Sequence, residues 1–358
     1  MEKIKEIIES ISPVLIRPTS SSLTIGLSKR FFLFNMMNKI INIIEEDPHL
    51  NFIALLKSYK ILGRILNGTL HEFYRDRNKL YFKNFFYDRE LYGLVKSDIE
   101  DMYPKYKDIK MTITKRGVIV YDNYNKASFN TLLLTVHAGT WVPENIQKKL
   151  SISKNDRYKE EDVATDMIYR KLVLNNSGIW IDNKQSRFVV DFNRPLKTAI
   201  YADHSEKWLD IIWTEKPAKK ESDAILASYR EFYFILKRLL DTYQFNIIFD
   251  GHSMKDTDDR PNISFGTRYI PKFYMPIVKS MKRKMSSLGY SPVALNKPYG
   301  GGFILKWLNI LYPNVFIFSM EVNKKLYMTK NRRTVLKKKT DKLSLDIVNI
   351  FDIEISEE

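Results

Sequence analysis

Two histidines stand at matching places in a chain that has only five. Phe245-Asn-Ile-Ile-Phe249 is nearly all apolar and β-favouring, which predicts a buried strand. It runs straight into Asp250-Gly-His-Ser253, so His252 follows the apolar run at once. Asn130 to Val136 behaves in the same way and runs into His137-Ala-Gly-Thr140. Strands that end in polar groups present them at the carboxyl edge of a sheet, where open α/β sheets bind their ligands. Two imidazoles delivered to that edge can converge on one metal ion. The chain has no cysteine, so such a metal must be held by His, Asp, Glu or water.

The elements that must position these residues follow from hydrophobic periodicity. Apolar runs predict strands over 131–136, 187–192, 245–249, 291–295 and 315–322. Helices are predicted between them, over 162–175, 219–243, 273–287 and 303–311. Strand alternating with helix implies an α/β fold, with a mostly parallel, mixed sheet and helices on both faces. Residues 111–114 and 118–121 alternate like a hairpin around Arg116-Gly117. The preceding chain reads as helical, over 2–12, 27–46 and 50–66. The expected organisation is a mainly helical region at 1–125, an α/β domain at 126–330, and a basic, then acidic, tail at 331–358.

With 358 residues, 44% of them hydrophobic and 13% aromatic, the chain can bury a sizeable core, which argues against global disorder. The net charge of +16 favours anionic partners. Nucleic acid is one such partner: cations mix with aromatics between 73 and 106, and 324–342 is strongly basic. The same mixture also suits amphipathic side chains covering a core. The first residues lack a signal-peptide apolar run, and no stretch approaches the ~18 apolar residues of a membrane span. The expectation is a soluble, cytoplasmic protein without a membrane partner.

The polar punctuation of the α/β part forms an ordered series. It runs through His137-Ala-Gly-Thr140, Thr165-Asp166, Ser186-Arg187, Asp191-Phe-Asn-Arg194, Asp250-Gly-His-Ser253 and Asn296-Lys-Pro-Tyr-Gly-Gly-Gly302 to Glu321. In this order the series resembles the N-formylglutamate amidohydrolase (N-formylglutamate deformylase) family, which is related to the zinc carboxypeptidases and aspartoacylases. The resemblance covers roughly 132–328.

It implies a zinc-peptidase-like architecture, a Zn2+ cofactor, and hydrolysis of an amide in an N-acyl amino acid or acidic peptide that bears a carboxylate. A hydrolytic zinc takes three protein ligands and an open position. His137 and His252 supply two, and the third is Asp166, in a Thr-Asp pair like the family's, with Glu144 as the alternative. In the carboxypeptidases the acid follows the first histidine by three residues, where this chain has Thr140. Glu321 ends an apolar strand, where burial raises a carboxyl towards the range of a general base, and it stands at the place of the carboxypeptidases' glutamate. The resemblance implies Asn193 and Arg194 as binders of a substrate carboxylate. Arg187 is a second clamp or a stabiliser of the oxyanion. Gly301 lies in a triplet that lets backbone approach a ligand, and Tyr327 is a further substrate contact. His49, His71 and His204 match no motif and read as structural or surface groups. The alternative function is a non-catalytic protein on the same fold that grips nucleic acid through the basic segments.

Overall fold

Consecutive apolar residues in the central strands give them two buried faces. Leu132 and Leu134 belong to one core and Leu133 to another; Ile179 and Ile181 likewise face away from Trp180. This is the period of two expected of strands covered on both sides. The structure, a computed structural model, describes residues 71–73, 89–102, 106, 109–114, 116–202 and 212–351. The helices expected over 2–12, 27–46 and 50–66, most of the aromatic segment, His49, His204 and the acidic end lie outside the described residues.

The strands are β1 (His71–Phe73), β2 (Lys110–Ile113), β3 (Val118–Asn123), β4 (Thr131–Thr135), β5 (Gly178–Asn183), β6 (Ile247–Met254), β7 (Ile263–Gly266), β8 (Val293–Leu295) and β9 (Phe316–Asn323). They form one mixed sheet in the order β1-β2-β3-β5-β4-β6-β9-β7-β8. The central four, β5, β4, β6 and β9, are parallel. β3 joins β5 antiparallel, so the hairpin expected before residue 125 is hydrogen-bonded into the α/β sheet.

Helices cover both faces. On one lie α1 (Arg89–Met102), α3 (Thr165–Tyr169), α5 (Met275–Met285) and α7 (Lys337–Ile350); on the other lie α4 (Lys219–Thr242) and α6 (Phe303–Leu311). A short helix, α2 (Lys154–Glu160), precedes the loop that leads into α3. Among the described residues, no helix is long and apolar enough to cross a membrane.

Three expectations differ from what forms. Residues 187–192 are not a strand: Ser186 Oγ accepts the Phe188 amide and folds the apolar run into a buried turn, while β5 takes the place in the sheet. The helix expected over 162–175 begins only at Thr165, because Ala164 adopts a left-handed φ of 66° that a helix cannot continue through. The chain beyond 331, expected as a tail, folds back as α7. Leu343, Ile347 and Ile350, spaced along one helix face, are buried against the sheet.

Candidate metal centre

The register of the sheet makes the site. β4 pairs with β6 only as far as Leu134 opposite Asp250, whereas β6 and β9 continue together to Met254 and Asn323. The carboxyl end of β6 therefore stands beyond β4, and Asp250 and His252, two residues apart, share one face of the sheet. Glu321 lies directly opposite His252 on β9. The next residues along β6 point to the other face, where a Cβ on Gly251 would lie 2.4 Å from the Tyr169 ring. Glycine is therefore required for α3 to sit so close.

His137, two residues past β4, meets His252 with ring centroids 5.0 Å apart. Between them lies Asp162. Its Oδ2 is 2.9 Å from His252 Nδ1 and 3.5 Å from His137 Nδ1, and its Oδ1 accepts Ser253 Oγ at 3.2 Å. Ligand atoms around a tetrahedral zinc, at bonds of about 2.0–2.1 Å, stand roughly 3.3 Å apart, and the two distances to Asp162 bracket that value, with ligand atoms of all three residues within 4.8 Å of one another. All three residues are buried.

Each imidazole is held from behind by a second acid. His137 Nε2 is 2.7 Å from Asp191 Oδ1, and His252 Nε2 is 2.7 Å from Asp250 Oδ2. An ionised carboxylate only accepts, so each Nε2 carries a hydrogen; His252 Nδ1, 2.9 Å from Asp162, donates to that acid until a cation takes the hydrogen's place, and each Nδ1 is the atom turned to the centre. His137 Nδ1 is buried and makes no hydrogen bond. A buried nitrogen lone pair without a donor, beside a second imidazole and an acid, fits a cation well. Asp191 is itself fixed: Arg187 Nη2 donates to its Oδ2 at 2.9 Å, the Tyr201 hydroxyl bonds the same oxygen, and Arg194 Nε stands 3.5 Å away.

Ionisation follows this arrangement. Burial alone would push Asp162 up, but the two imidazoles beside it hold it well below the usual carboxylate range. Burial opposes the charged form of His252, yet Asp250 and Asp162 outweigh it and raise the ring well above its ordinary value. Glu321 is raised to about 8, first by burial and then by Asp162 and Asp250, against the opposing charge of His252. A cavity of about 480 Å³ opens over the centre, and Arg187, Asn193, Arg194, Gly301 and Glu321 line it with the three central residues. Asn193 links two parts of that wall. Its Nδ2 is 3.4 Å from His252 Nε2, and its Oδ1 accepts the Ile304 amide at the start of α6. A Cβ on Gly302 would lie 2.3 Å from that side chain, so the last glycine of the triplet is the one that Asn193 demands.

The structure thus brings together His137, His252, Glu321, Arg187, Asn193, Arg194 and Gly301. It does not bring Asp166, Glu144 or Tyr327 to them. Asp166 turns to Lys184, 3.3 Å away, in a separate cluster with Asp98 and Asp182. Glu144 has a side chain 85% exposed and pairs with Lys148 at 2.9 Å. Tyr327 is fully buried and donates to the Val163 carbonyl at 3.0 Å. The acid at the centre is Asp162, which the sequence pattern hid inside an expected helix. Asp250 was visible next to His252 but not as its partner. Asn at Asp191 or Asp250 is expected to weaken metal affinity about 10- to 100-fold while the fold is kept, read by chelator competition.

Comparison with known proteins fits this geometry. The family model for N-formylglutamate amidohydrolase matches residues 129–328. No curated protein matches. Among solved structures, the N-formylglutamate amidohydrolase of Ralstonia eutropha JMP134 is similar, with a TM-score of 0.52 at 17% identity, over 66% of this chain and 97% of that one. A gene product of Agrobacterium tumefaciens gives 0.45 at 15% identity, over 66% and 97%. A metallo-carboxypeptidase of Burkholderia cenocepacia gives 0.37 at 9% identity, over 74% and 69%. The Ralstonia structure bears on the fold, and the family model, which spans more than half of the chain, bears on descent. From His137 to Glu321 the whole centre lies inside the matched span, and the chain belongs to the N-formylglutamate amidohydrolase family, hydrolases that act on C–N bonds.

Proposed function

We propose that this amidohydrolase depends on zinc, with His137 Nδ1, His252 Nδ1 and Asp162 as the ligands, and that it cleaves the amide of an N-acyl amino acid, such as an N-formyl amino acid, or of an acidic peptide. The observation that carries the reading is the pair of Nδ1 atoms facing one buried carboxylate, each ring held at Nε2 by an acid of its own. The donor set is nitrogen, nitrogen and oxygen, without sulfur, which suits a hydrolytic zinc. When bound, zinc lowers the pKa of a water and polarises a carbonyl oxygen.

The chain's own residues supply the rest. Glu321, buried and across the ladder from His252, takes a proton from the attacking water and returns it to the leaving nitrogen as the C–N bond breaks. Arg187, fixed by Asp191 and by Tyr201 at 3.1 Å, offers positive charge to the oxygen that becomes negative. Arg194 lies over the Tyr201 ring, its Cζ 4.5 Å from the centroid, and with Asn193 it receives the substrate carboxylate. Gly301, at φ 116°, shapes the wall at the head of α6. The non-catalytic reading is not favoured, because the chain belongs to a family of amidohydrolases.

The test is hydrolysis of N-formyl-glutamate and of longer N-acyl amino acids by purified protein, with chelator and with zinc restored. Arg194→Gln is expected to raise KM about 10- to 100-fold, the worth of a charge-assisted hydrogen bond, and to leave kcat nearly unchanged. The zinc reading fails if turnover persists after complete metal removal.

A further inference from the structure

Asp162 comes from a loop 25 residues beyond His137, not from the same turn of chain. Something other than local geometry must therefore hold it between the two rings. The chain is gripped on both sides of Asp162, at the last turn of α2 and within the loop, by one short segment. Lys324 Nζ donates to the Lys159 carbonyl at 2.7 Å, three residues before it. The Tyr327 hydroxyl donates to the Val163 carbonyl at 3.0 Å, one residue after it. Both side chains are fully buried. The segment that carries them follows β9 directly, and β9 carries Glu321.

Other bonds tie the same loop down, and some act on Asp162 itself: its carbonyl accepts the Thr165 amide at 3.1 Å and the Thr165 hydroxyl at 2.7 Å. Glu161 is bound by Arg157 at 2.8 Å and by Ser186 at 2.5 Å, and the Asp162 amide donates to the His137 carbonyl at 3.1 Å. The Asp162 side chain itself is steered at Oδ1 by Ser253 alone, at 3.2 Å. Its Oδ2 is the atom left for the two rings, so where that atom stands follows from where the backbone on either side is fixed. A lysine stem buried to deliver one donor to one carbonyl is a costly arrangement for a surface-type residue. It is explained if that carbonyl has to stay in place.

We propose that Lys324 and Tyr327 are positioning residues for the metal centre: they clamp the carbonyls on either side of Asp162 and so set the third ligand at the distance a zinc requires. The inference rests on the zinc reading above. It assigns a task to Tyr327 without placing it in the cavity. It also ties the ligand loop to the strand that bears Glu321, so the ligand and the base are held in one frame. Residues acting on ligands from behind typically change metal affinity 10- to 100-fold when altered.

The experiment compares zinc affinity, by competition with a fluorescent chelator, for the parent protein, Tyr327→Phe, Lys324→Met and Tyr243→Phe. Tyr243 is the control. Its hydroxyl donates to the Asp122 carboxylate at 3.0 Å, a tyrosine hydrogen bond made away from the metal centre. Tyr327→Phe and Lys324→Met are expected to bind zinc about 10-fold or more weakly. Tyr243→Phe is expected to match the parent. Tyr327→Phe changes only one oxygen, so it keeps the test valid if Lys324→Met fails to fold. Parent-like zinc affinity in Tyr327→Phe, or equal weakening in Tyr243→Phe, overturns the clamp while the zinc reading stands. A parent that binds no zinc overturns both.

Discussion

Asp162→Asn is expected to lose most of its bound zinc and its turnover, while Asp166→Asn keeps both. The two acids are four residues apart, and only their surroundings separate them. Asp162 faces two Nδ1 atoms. Asp166 shares Lys184 with Asp98 and Asp182, and the ammonium still has two carboxylates when Asp166 is neutralised. Zinc sites with four protein ligands are worth about 10–16 kcal/mol, or roughly 3 kcal/mol for each ligand. At 1.4 kcal/mol for each factor of ten, removing one anionic ligand costs about a hundred-fold in affinity or more. Asn keeps the shape of Asp162 and its bond to Ser253, so the loss reports charge and ligation. Metal content and kcat/KM of the two variants, measured side by side, check the assignment. Equal loss in both would return the third ligand to Asp166.

Glu321→Gln is expected to lower kcat about 10²- to 10⁴-fold with zinc retained, the usual cost of removing a general base. The pH profile carries the sharper signature. Glu321 is raised from 4.5 to about 8 by burial and by Asp162 and Asp250. A base acts in its deprotonated form, so activity is full above its pKa and is lost as pH falls through it. A bound dication favours the carboxylate and draws the value down, so the acidic limb of kcat/KM belongs between 4.5 and about 8. The residual rate of Glu321→Gln should lack that limb. A limb unchanged in the variant would assign it to another group.

Much of this site was legible before any coordinates. His137 and His252 announce themselves because an apolar run that stops at a polar cluster marks a sheet edge, and Glu321 does so for the same reason. Helices over 219–243 and 303–311 carry strong periodicity, and α4 and α6 form within a residue of those bounds. The missing pieces depend on tertiary structure. β5 opens with glycine and ends in Asp182 and Asn183, a poor strand signal. Its polar end is stabilised by Lys184 and Gln185, which follow it, and by Thr135 and the Val136 carbonyl, brought from the end of β4. Asp162 reads as helical because the left-handed Ala164 that frees it leaves no mark in residue types. The partnership of His137 with Asp191 joins positions 54 apart through a turn that resembles a strand in sequence. Local pattern located the elements that bring the ligands, but it did not identify which neighbour completes them.

The most direct test of the account is anomalous diffraction at the zinc edge from crystals of the metal-loaded protein. The expected result is one peak bonded to Nδ1 of His137, Nδ1 of His252 and the carboxylate of Asp162, at about 2.0–2.2 Å from each. A peak among Asp98, Asp166 and Asp182, or none between the two imidazoles, would contradict it.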